Sequence, residues 1–361
     1  MSHYLEALGS EDIVLESLPD GVLASMETRD RWMAGLQYAS GGLEFLISDL
    51  QGWGPGKTVK VAFLGGSDAL YKEIEEVTRD ISENANVILD FKNGDGTYRT
   101  WTTSDTAYAA EIRVSFDQGG NFSLVGTDST NPNIGQTHEP VGGAPHQRTL
   151  NLGGFSIQKP PRWQGTARHE FLHALAFSHE HQNMRGPCEA AFRWEDDPGY
   201  QLTRDVRGAY VPDAGGLRPG IYTYLSGYPN GWSKTKIDHN LRTPSDSRSL
   251  VAGPFDPSSV MLYRFPPLFY RTQPSPCAPT GEGIQLSDGD KRGLNLLYPG
   301  GSAAVNAVAA RREDLVKAIE GGAGNAGAAG ALESTRAART VSGFAAHAAQ
   351  ALRESLREIK P

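Results

Sequence analysis

Apolar and polar residues recur at regular spacing through the first half of the chain. Residues 58–64 alternate as a β-strand does, and residues 68–84 repeat their apolar positions at the spacing of an α-helix. Short apolar runs predict further strands at 87–91, 111–116 and 148–153. The pattern therefore predicts a mixed sheet with one backing helix.

Other segments show weaker or different patterns. Residues 29–38 predict a short amphipathic helix. Residues 181–255 are rich in Gly, Pro and Asp, and such a composition predicts irregular structure that often carries function. Residues 286–298 predict a capped helix that ends before Pro299, where we expect the main domain to close.

The C-terminal end of the chain has a different composition. Ala-rich stretches predict two helices, 303–319 and 331–359, joined by Gly- and Ala-rich residues 321–330. We expect both helices to be solvated or loosely docked. The predicted parts are an N-terminal extension at 1–50, a main domain at 51–299 divided into 51–180 and 181–299, and a helical tail at 300–361.

The clearest chemistry lies in the run HEFLH at residues 169–173. On a helix, His169 and His173 lie one turn apart on one face, so both imidazoles can reach a single zinc ion. Glu170 lies about 100° round the same helix, where it can face a water molecule without binding the metal. The run therefore predicts two zinc ligands and a general base.

A third histidine, His179, restricts where this helix begins and ends. We expect the helix to start at Gly165 and Thr166, which supply a turn and an N-cap. In an unbroken helix His179 would lie about 15 Å beyond the first histidine and could not share its metal. The chain must therefore turn soon after His173. Either Ala176 adopts a positive φ, at a cost of about 1–2 kcal/mol, or the turn has another shape.

Composition narrows the possible partners and location. The 361 residues include 34 Lys and Arg against 42 Asp and Glu, and this net charge of −8 argues against nucleic acid as the main partner. No apolar run approaches the ~18 residues of a membrane span. The N-terminal residues lack the basic start and apolar block of a secretory signal. We expect a soluble monomer that stays inside, leaves by another route, or has its signal outside this sequence.

The chain has two cysteines, Cys188 and Cys277, which are too few for a disulfide framework. Cys188 follows His179 by nine residues, and Cys277 lies sixteen residues after Met261. Both can therefore flank the same cleft. The sequence leaves open whether they form a disulfide or remain two buried thiols.

The stretch HEFLHALAFSHEH at residues 169–181 closely resembles the active-site stretch of astacins, a family of metzincin zinc endopeptidases. Astacins bind one zinc ion through three histidines of an HExxHxxGxxH stretch, with a Glu after the third histidine. By this resemblance the zinc ligands are His169, His173 and His179, the general base is Glu170, the family glutamate is Glu180, and Ala176 replaces the family glycine.

A second landmark extends the likeness, because residues 255–263 resemble the methionine turn of astacins. The resemblance implies that Met261 forms an apolar floor beneath the zinc, and that Tyr263 can ligate zinc and swing to stabilise the transition state. It covers roughly residues 50–299. It implies an α+β, metzincin-type zincin fold: a mixed twisted sheet with backing and active-site helices, then an irregular subdomain with a closing helix.

The expected reaction is hydrolysis of peptide bonds in a protein or peptide substrate. Zinc lowers the pKa of a bound water toward ~7, and Glu170 takes its proton and returns it to the leaving amine. Tyr263 would stabilise the oxyanion. An edge strand would hold an extended substrate by backbone pairing. The substrate-binding residues expected on that strand are Asn151, Leu152 and Gly153.

Several alternatives stay open. A catalytically silent or latent module would bind zinc and peptide without turnover, although no catalytic residue is missing. A structural zinc site would need a fourth protein ligand, for which Cys188 and His181 are candidates. Glu180 can equally be a plain surface carboxylate, and His239 a polar group behind the ligands. The resemblance implies secretion, and no pro-segment motif of the astacin kind is present in residues 1–50.

Overall fold

The computed structural model describes residues 18–34, 36, 50–243, 253–321 and 335–359. The helices are α1 Asp20–Ala34, α2 Asp68–Glu83, α3 Trp163–Ala174, α4 Cys188–Ala191, α5 Ile221–Ser226, α6 Lys234–Leu241, α7 Asp288–Leu297, α8 Ser302–Glu320 and α9 Thr335–Glu358. The strands are β1 Thr58–Leu64, β2 Ile88–Asp90, β3 Ile112–Ser115, β4 Asn121–Ser123 and β5 Leu150–Leu152. Within these ranges no helix is both long and apolar enough to cross a membrane.

The five strands form one mixed sheet in the order β2-β1-β3-β5-β4, in which only β4 is antiparallel to its neighbour. Strand β5 pairs with β3 on one side and with β4 on the other, so the prediction of an edge strand at Asn151, Leu152 and Gly153 is wrong. The backbone of these residues already forms hydrogen bonds within the protein. For example, the Gly153 N–H donates to Gly120 O at 3.1 Å. The three-residue strand β4 was not predicted from the sequence.

Helices α2 and α3 pack with the sheet in one apolar core. Phe63 of β1 stacks on Tyr71 of α2 with ring centroids 4.1 Å apart, and the same core contains Phe171 of α3. The side chain of Ser67 caps α2, as expected for a helix that starts at residue 68. The predicted closing helix is confirmed as α7, which begins with a capping box between Ser287 and Asp290.

The described residues between α3 and α7 contain only short helices and irregular segments, as the composition of residues 181–255 predicts. A second core fills this region, with buried Phe192, Trp194, Leu225 and Phe265. The two cysteines form a disulfide within this core, between Cys188 on α4 and Cys277. This settles the alternative that the sequence left open.

Helices α1, α8 and α9 pack in a third apolar cluster, which we call the terminal cluster. The expectation of solvated or loosely docked tail helices is wrong, because Leu315 of α8 and Phe344 and Leu352 of α9 are each 1% exposed. The N-terminal helix also begins earlier than predicted, at residue 20 rather than 29. The terminal cluster comprises Leu18, Val22, Leu23, Met26, Trp32, Met33, Leu36, Leu50, Phe122, Leu124, Ile134, Val141, Leu315, Phe344, Ala348 and Leu352.

Candidate metal centre

Helix α3 carries the first two histidines and begins earlier than the sequence suggested. It starts at Trp163, and Arg162 before it has a left-handed backbone with φ of 56°. Gly165 is therefore not a preceding turn but part of the first helical turn. A Cβ at Gly165 would lie 1.8 Å from Gly283 O, so the residue is small because another segment approaches it closely.

The three predicted ligands converge on one point. His173 Nε2 lies 3.1 Å from His169 Nε2 and 3.1 Å from His179 Nε2. Two nitrogens bound tetrahedrally to zinc at about 2.0–2.1 Å would lie roughly 3.3 Å apart, so the separation fits this ion. Among the described residues these histidines form the one group of three or more His, Cys, Asp or Glu suited to a metal, and all three are buried.

The outer nitrogen of each ring faces an oxygen. His169 Nδ1 lies 2.8 Å from Val260 O, and His173 Nδ1 lies 2.7 Å from Phe177 O. His179 Nδ1 lies 3.2 Å from Gln182 Oε1. Because a carbonyl oxygen can only accept, Nδ1 donates in the first two rings and their Nε2 lone pairs point inward. Burial, together with the neighbouring imidazoles, lowers the pKa of His179, which favours the neutral form that binds metal.

The chain turns back just after α3, as the spacing of the histidines requires. Ala176 has a φ of 71°, so the left-handed alternative is confirmed. The Ala176 N–H donates to His173 O at 2.8 Å, and the Phe177 N–H donates to Leu172 O at 3.0 Å. The turn thereby returns the chain so that His179 reaches the metal position.

Glu170 lies on α3 next to the first predicted ligand, and Tyr263 packs against the histidine rings. Glu170 follows the first ligand on α3 and is fully buried. The ring of Tyr263 stacks on His169 with centroids 5.2 Å apart, and its centroid is 4.5 Å from that of His179. The structure therefore brings the ring of Tyr263 against the rings of two predicted ligands.

Met261 and Glu180 connect the ligand segment with the turn beneath it. Met261 is 1% exposed and belongs to the same core as α3. Its carbonyl accepts from the Glu180 N–H at 2.9 Å. The Glu180 carboxyl accepts from the Asp256 N–H at 2.8 Å and from Asn183 at 2.9 Å, and burial raises its pKa to about 7. Glu180 is thus a link between two segments and not a plain surface carboxylate.

Two residues that sequence analysis did not assign support the ligands. Gln182 contacts His179 through its amide oxygen, while its Nε2 donates to His239 O at 2.8 Å. Asp290 of α7 accepts from Ser259 Oγ at 2.6 Å and from the Val260 N–H at 3.1 Å. Two features of the sequence could have identified these residues. Gln182 is an amide three residues after His179, and Asp290 is the acidic residue of the α7 capping box.

The structural-zinc alternative loses its candidate fourth ligands. Cys188 is bonded to Cys277 and offers no thiolate. His181 Nε2 lies 2.8 Å from Asn240 O, and His181 is not part of the converging group. A three-nitrogen donor set of this kind leaves a fourth position for water or substrate, as in catalytic zinc sites.

A small cavity is lined in part by His169. Three charged side chains, Arg162, Arg264 and Glu282, line it beside Tyr263. His169 and Tyr263 therefore belong both to the histidine site and to the wall of this cavity.

No protein-family model and no curated protein matches the chain. Among solved structures, the chain is similar to myroilysin, at 25% identity over 70% of this chain and 97% of that chain, with a TM-score of 0.48. A second myroilysin structure has 22% identity over 69% and 86% of the two chains, with a TM-score of 0.40. High choriolytic enzyme 1, a hatching enzyme zinc-protease from Oryzias latipes (medaka fish), has 15% identity over 67% and 88%, with a TM-score of 0.36.

The chain resembles astacin-like metzincins. The histidine triad has the arrangement that the motif predicted. Because all three TM-scores are below 0.5, we base the function proposed below on the side chains of the histidine site.

Proposed function

We propose that the chain is a zinc-dependent endopeptidase that hydrolyses peptide bonds with Glu170 as general base. The observation that carries this proposal is the convergence of three buried Nε2 atoms, with His173 Nε2 3.1 Å from each of the other two. Nδ1 of each ring faces an oxygen on its outer side and the Nε2 atoms converge, which suits a single zinc ion held by His169, His173 and His179.

A bound zinc ion would supply Lewis-acid polarisation at this point. Glu170, buried beside the ligands, accepts a proton from the attacking water and donates it to the leaving amine nitrogen. The hydroxyl of Tyr263 donates a hydrogen bond to the oxyanion that forms from the scissile carbonyl. Met261 forms the apolar floor of the site in this proposal.

The substrate is proposed to be a protein or peptide. Since β5 has no free edge, backbone pairing with Asn151 is not part of the proposal. The cavity beside His169 is the proposed position for a substrate side chain, and Arg162, Arg264 and Glu282 would influence which side chain it accepts.

We further propose that the protein works in an oxidising compartment. Disulfides persist there and are rare in reducing ones, and Cys188 and Cys277 form a disulfide. Export would agree with the secretion that the astacin resemblance implies.

Cleavage of a mixed quenched-peptide panel by zinc-loaded protein tests the activity. Glu170→Gln, compared at equal measured zinc content, should lose about 100-fold or more of the rate, since it removes the proton acceptor but no zinc ligand. Glu83→Gln, an exposed residue at the end of α2, serves as the matched control and should keep full activity.

Chelation should abolish cleavage and added zinc should restore it. If zinc binds stoichiometrically and neither the unchanged protein nor Glu83→Gln cleaves any peptide, the endopeptidase proposal fails. A silent or latent zinc-binding module would then be the better description.

A further inference from the structure

Two aromatic side chains from distant parts of the chain bind the last carbonyls of α3. Trp53 Nε1–H donates to Ala174 O at 2.8 Å, and the Tyr298 hydroxyl donates to Leu175 O at 2.8 Å. Trp53 is 6% exposed and Tyr298 is fully buried. The last carbonyls of a helix have no partner within the helix, so these donors satisfy groups that would otherwise be buried unpaired.

The two acceptor carbonyls immediately precede the turn that the zinc site requires. Ala176, with φ of 71°, holds a left-handed conformation that glycine adopts freely and alanine does not. The His173 ring contacts Phe177 O within the same turn, at 2.7 Å. A change in this turn would therefore move Phe177 O, which contacts the His173 ring, and also the residues that lead to His179.

Residues packed around the turn leave little space for its backbone to adopt another conformation. A Cβ at Gly126 would lie 1.9 Å from Gln51 O and 3.1 Å from Ala176 Cβ. The backbone next to Trp53 is itself anchored, because buried Arg312 donates to Gly52 O at 3.0 Å. Trp53, which donates to the Ala174 carbonyl, therefore follows a residue that is hydrogen-bonded to α8.

We propose that Trp53 and Tyr298 are positioning residues that hold Ala176 in its left-handed conformation and so place His179 for metal binding. The two donors fix the carbonyls on the N-terminal side of the turn before zinc arrives. This inference rests on the proposed function, because it concerns the geometry of the zinc ligands. It explains how alanine serves at a position where glycine would be the unstrained choice.

Zinc dissociation constants of Trp53→Phe and Tyr298→Phe, measured by competition with a chromogenic chelator, test the proposal. Tyr298→Phe keeps the ring, and Trp53→Phe replaces the indole with a smaller phenyl group. Each change removes one donor and should weaken zinc binding about 10-fold, the lower end of the effect expected for groups that orient ligands. Trp101→Phe is the matched control, because Trp101 is 2% exposed and its Nε1–H donates to Val114 O at 2.9 Å within the sheet. Its zinc affinity should stay within about 2-fold.

Adding Ala176→Gly separates positioning from general stability. Glycine relieves the strain of the turn, so it should restore the affinity of both Phe variants to within about 3-fold of the unchanged protein. Equal zinc affinity of Trp53→Phe, Tyr298→Phe and Trp101→Phe would overturn the proposal, as would a loss that Ala176→Gly does not restore. Failure of the unchanged protein to bind zinc would instead overturn the proposed function.

Hydrogen exchange of the unchanged protein gives a second test that does not depend on the variants folding. Both turn amides, Ala176 N–H and Phe177 N–H, donate to carbonyls of α3. If Trp53 and Tyr298 hold the turn, these amides should stay protected within about 10-fold when zinc is chelated. Loss of their protection on chelation would show that zinc, and not the aromatic donors, holds the turn, and the proposal would be wrong.

Discussion

The histidine site and the terminal cluster are assembled in opposite ways. The three ligands come from one segment, His169 to His179, and their convergence needs one helix and one turn. The terminal cluster joins α1 near the start of the chain with α8 and α9 at its end. Short spacing within the chain made the first predictable, whereas the second depends on contacts between residues far apart in sequence.

The two regions also bury polar groups in different ways. In the histidine site each predicted ligand ring contacts a backbone or amide oxygen at Nδ1, and these partners carry no charge. The terminal region buries a charge pair, Arg29 with Asp128, which are 6% and 3% exposed. We therefore expect the histidine site to depend chiefly on bound metal. We expect the stability of the region around the terminal cluster to depend on changes in charge.

The largest effect is expected from Arg29→Met. It leaves Asp128 buried without its opposite charge, which typically costs about 3–5 kcal/mol of the free energy of unfolding. Urea unfolding measures the loss, and Asp128→Asn added to Arg29→Met should recover most of it. Zinc affinity should change by less than about 3-fold, because neither residue is a predicted zinc ligand or one of the two donors that hold the Ala176 turn. An equal fall in zinc affinity would show that the two regions are coupled.

Removal of the disulfide should follow in size. Cys188→Ser with Cys277→Ser opens a link across 89 residues of sequence and should cost about 2–4 kcal/mol. Hydrogen exchange should rise in α4, α5 and α6 and remain unchanged in α1 and α9. Equal loss of protection at the chain ends would contradict the separation of the two regions.

His173→Ala should act on the histidine site alone. Loss of the central ligand should weaken zinc binding at least 100-fold, about 2.8 kcal/mol, since groups behind ligands already account for up to that factor. Zinc titration measures the loss. Protection of α9 amides should match that of the unchanged protein, and a drop there would refute independent folding of the terminal cluster.

The smallest effect is a pH dependence of the terminal region. Burial lowers the pKa of His347 on α9 to about 4, below the ordinary value of 6.5. Between about pH 4 and pH 6.5 the folded state therefore keeps this ring neutral, whereas the unfolded state binds a proton there. Stability from the neutral ring is complete above about pH 6.5 and is lost as pH falls toward 4, by roughly 1–3 kcal/mol. His347→Gln should flatten this part of a urea-stability profile, and an unchanged slope would contradict the assignment.

The elements with strong local signals were predicted closely. Helix α2 occupies Asp68–Glu83 against a predicted 68–84, because its cap and apolar spacing are local properties. The start of α3 was misplaced because Gly165 looks like a turn in sequence, whereas its small size serves a close contact with Gly283 O. Nothing in the local sequence distinguishes these two uses of glycine.

The sequence by itself determined three predictions: that the three histidines are metal ligands, that Glu170 is the base, and that the chain turns near Ala176. All three follow from helix geometry and ligand spacing. The tertiary structure decided the rest. It placed β5 inside the sheet, joined Cys188 to Cys277 and packed the tail on α1. Such outcomes depend on which distant surfaces meet, and that balance is set by burial and hydrogen bonding across the whole fold and not by any local pattern.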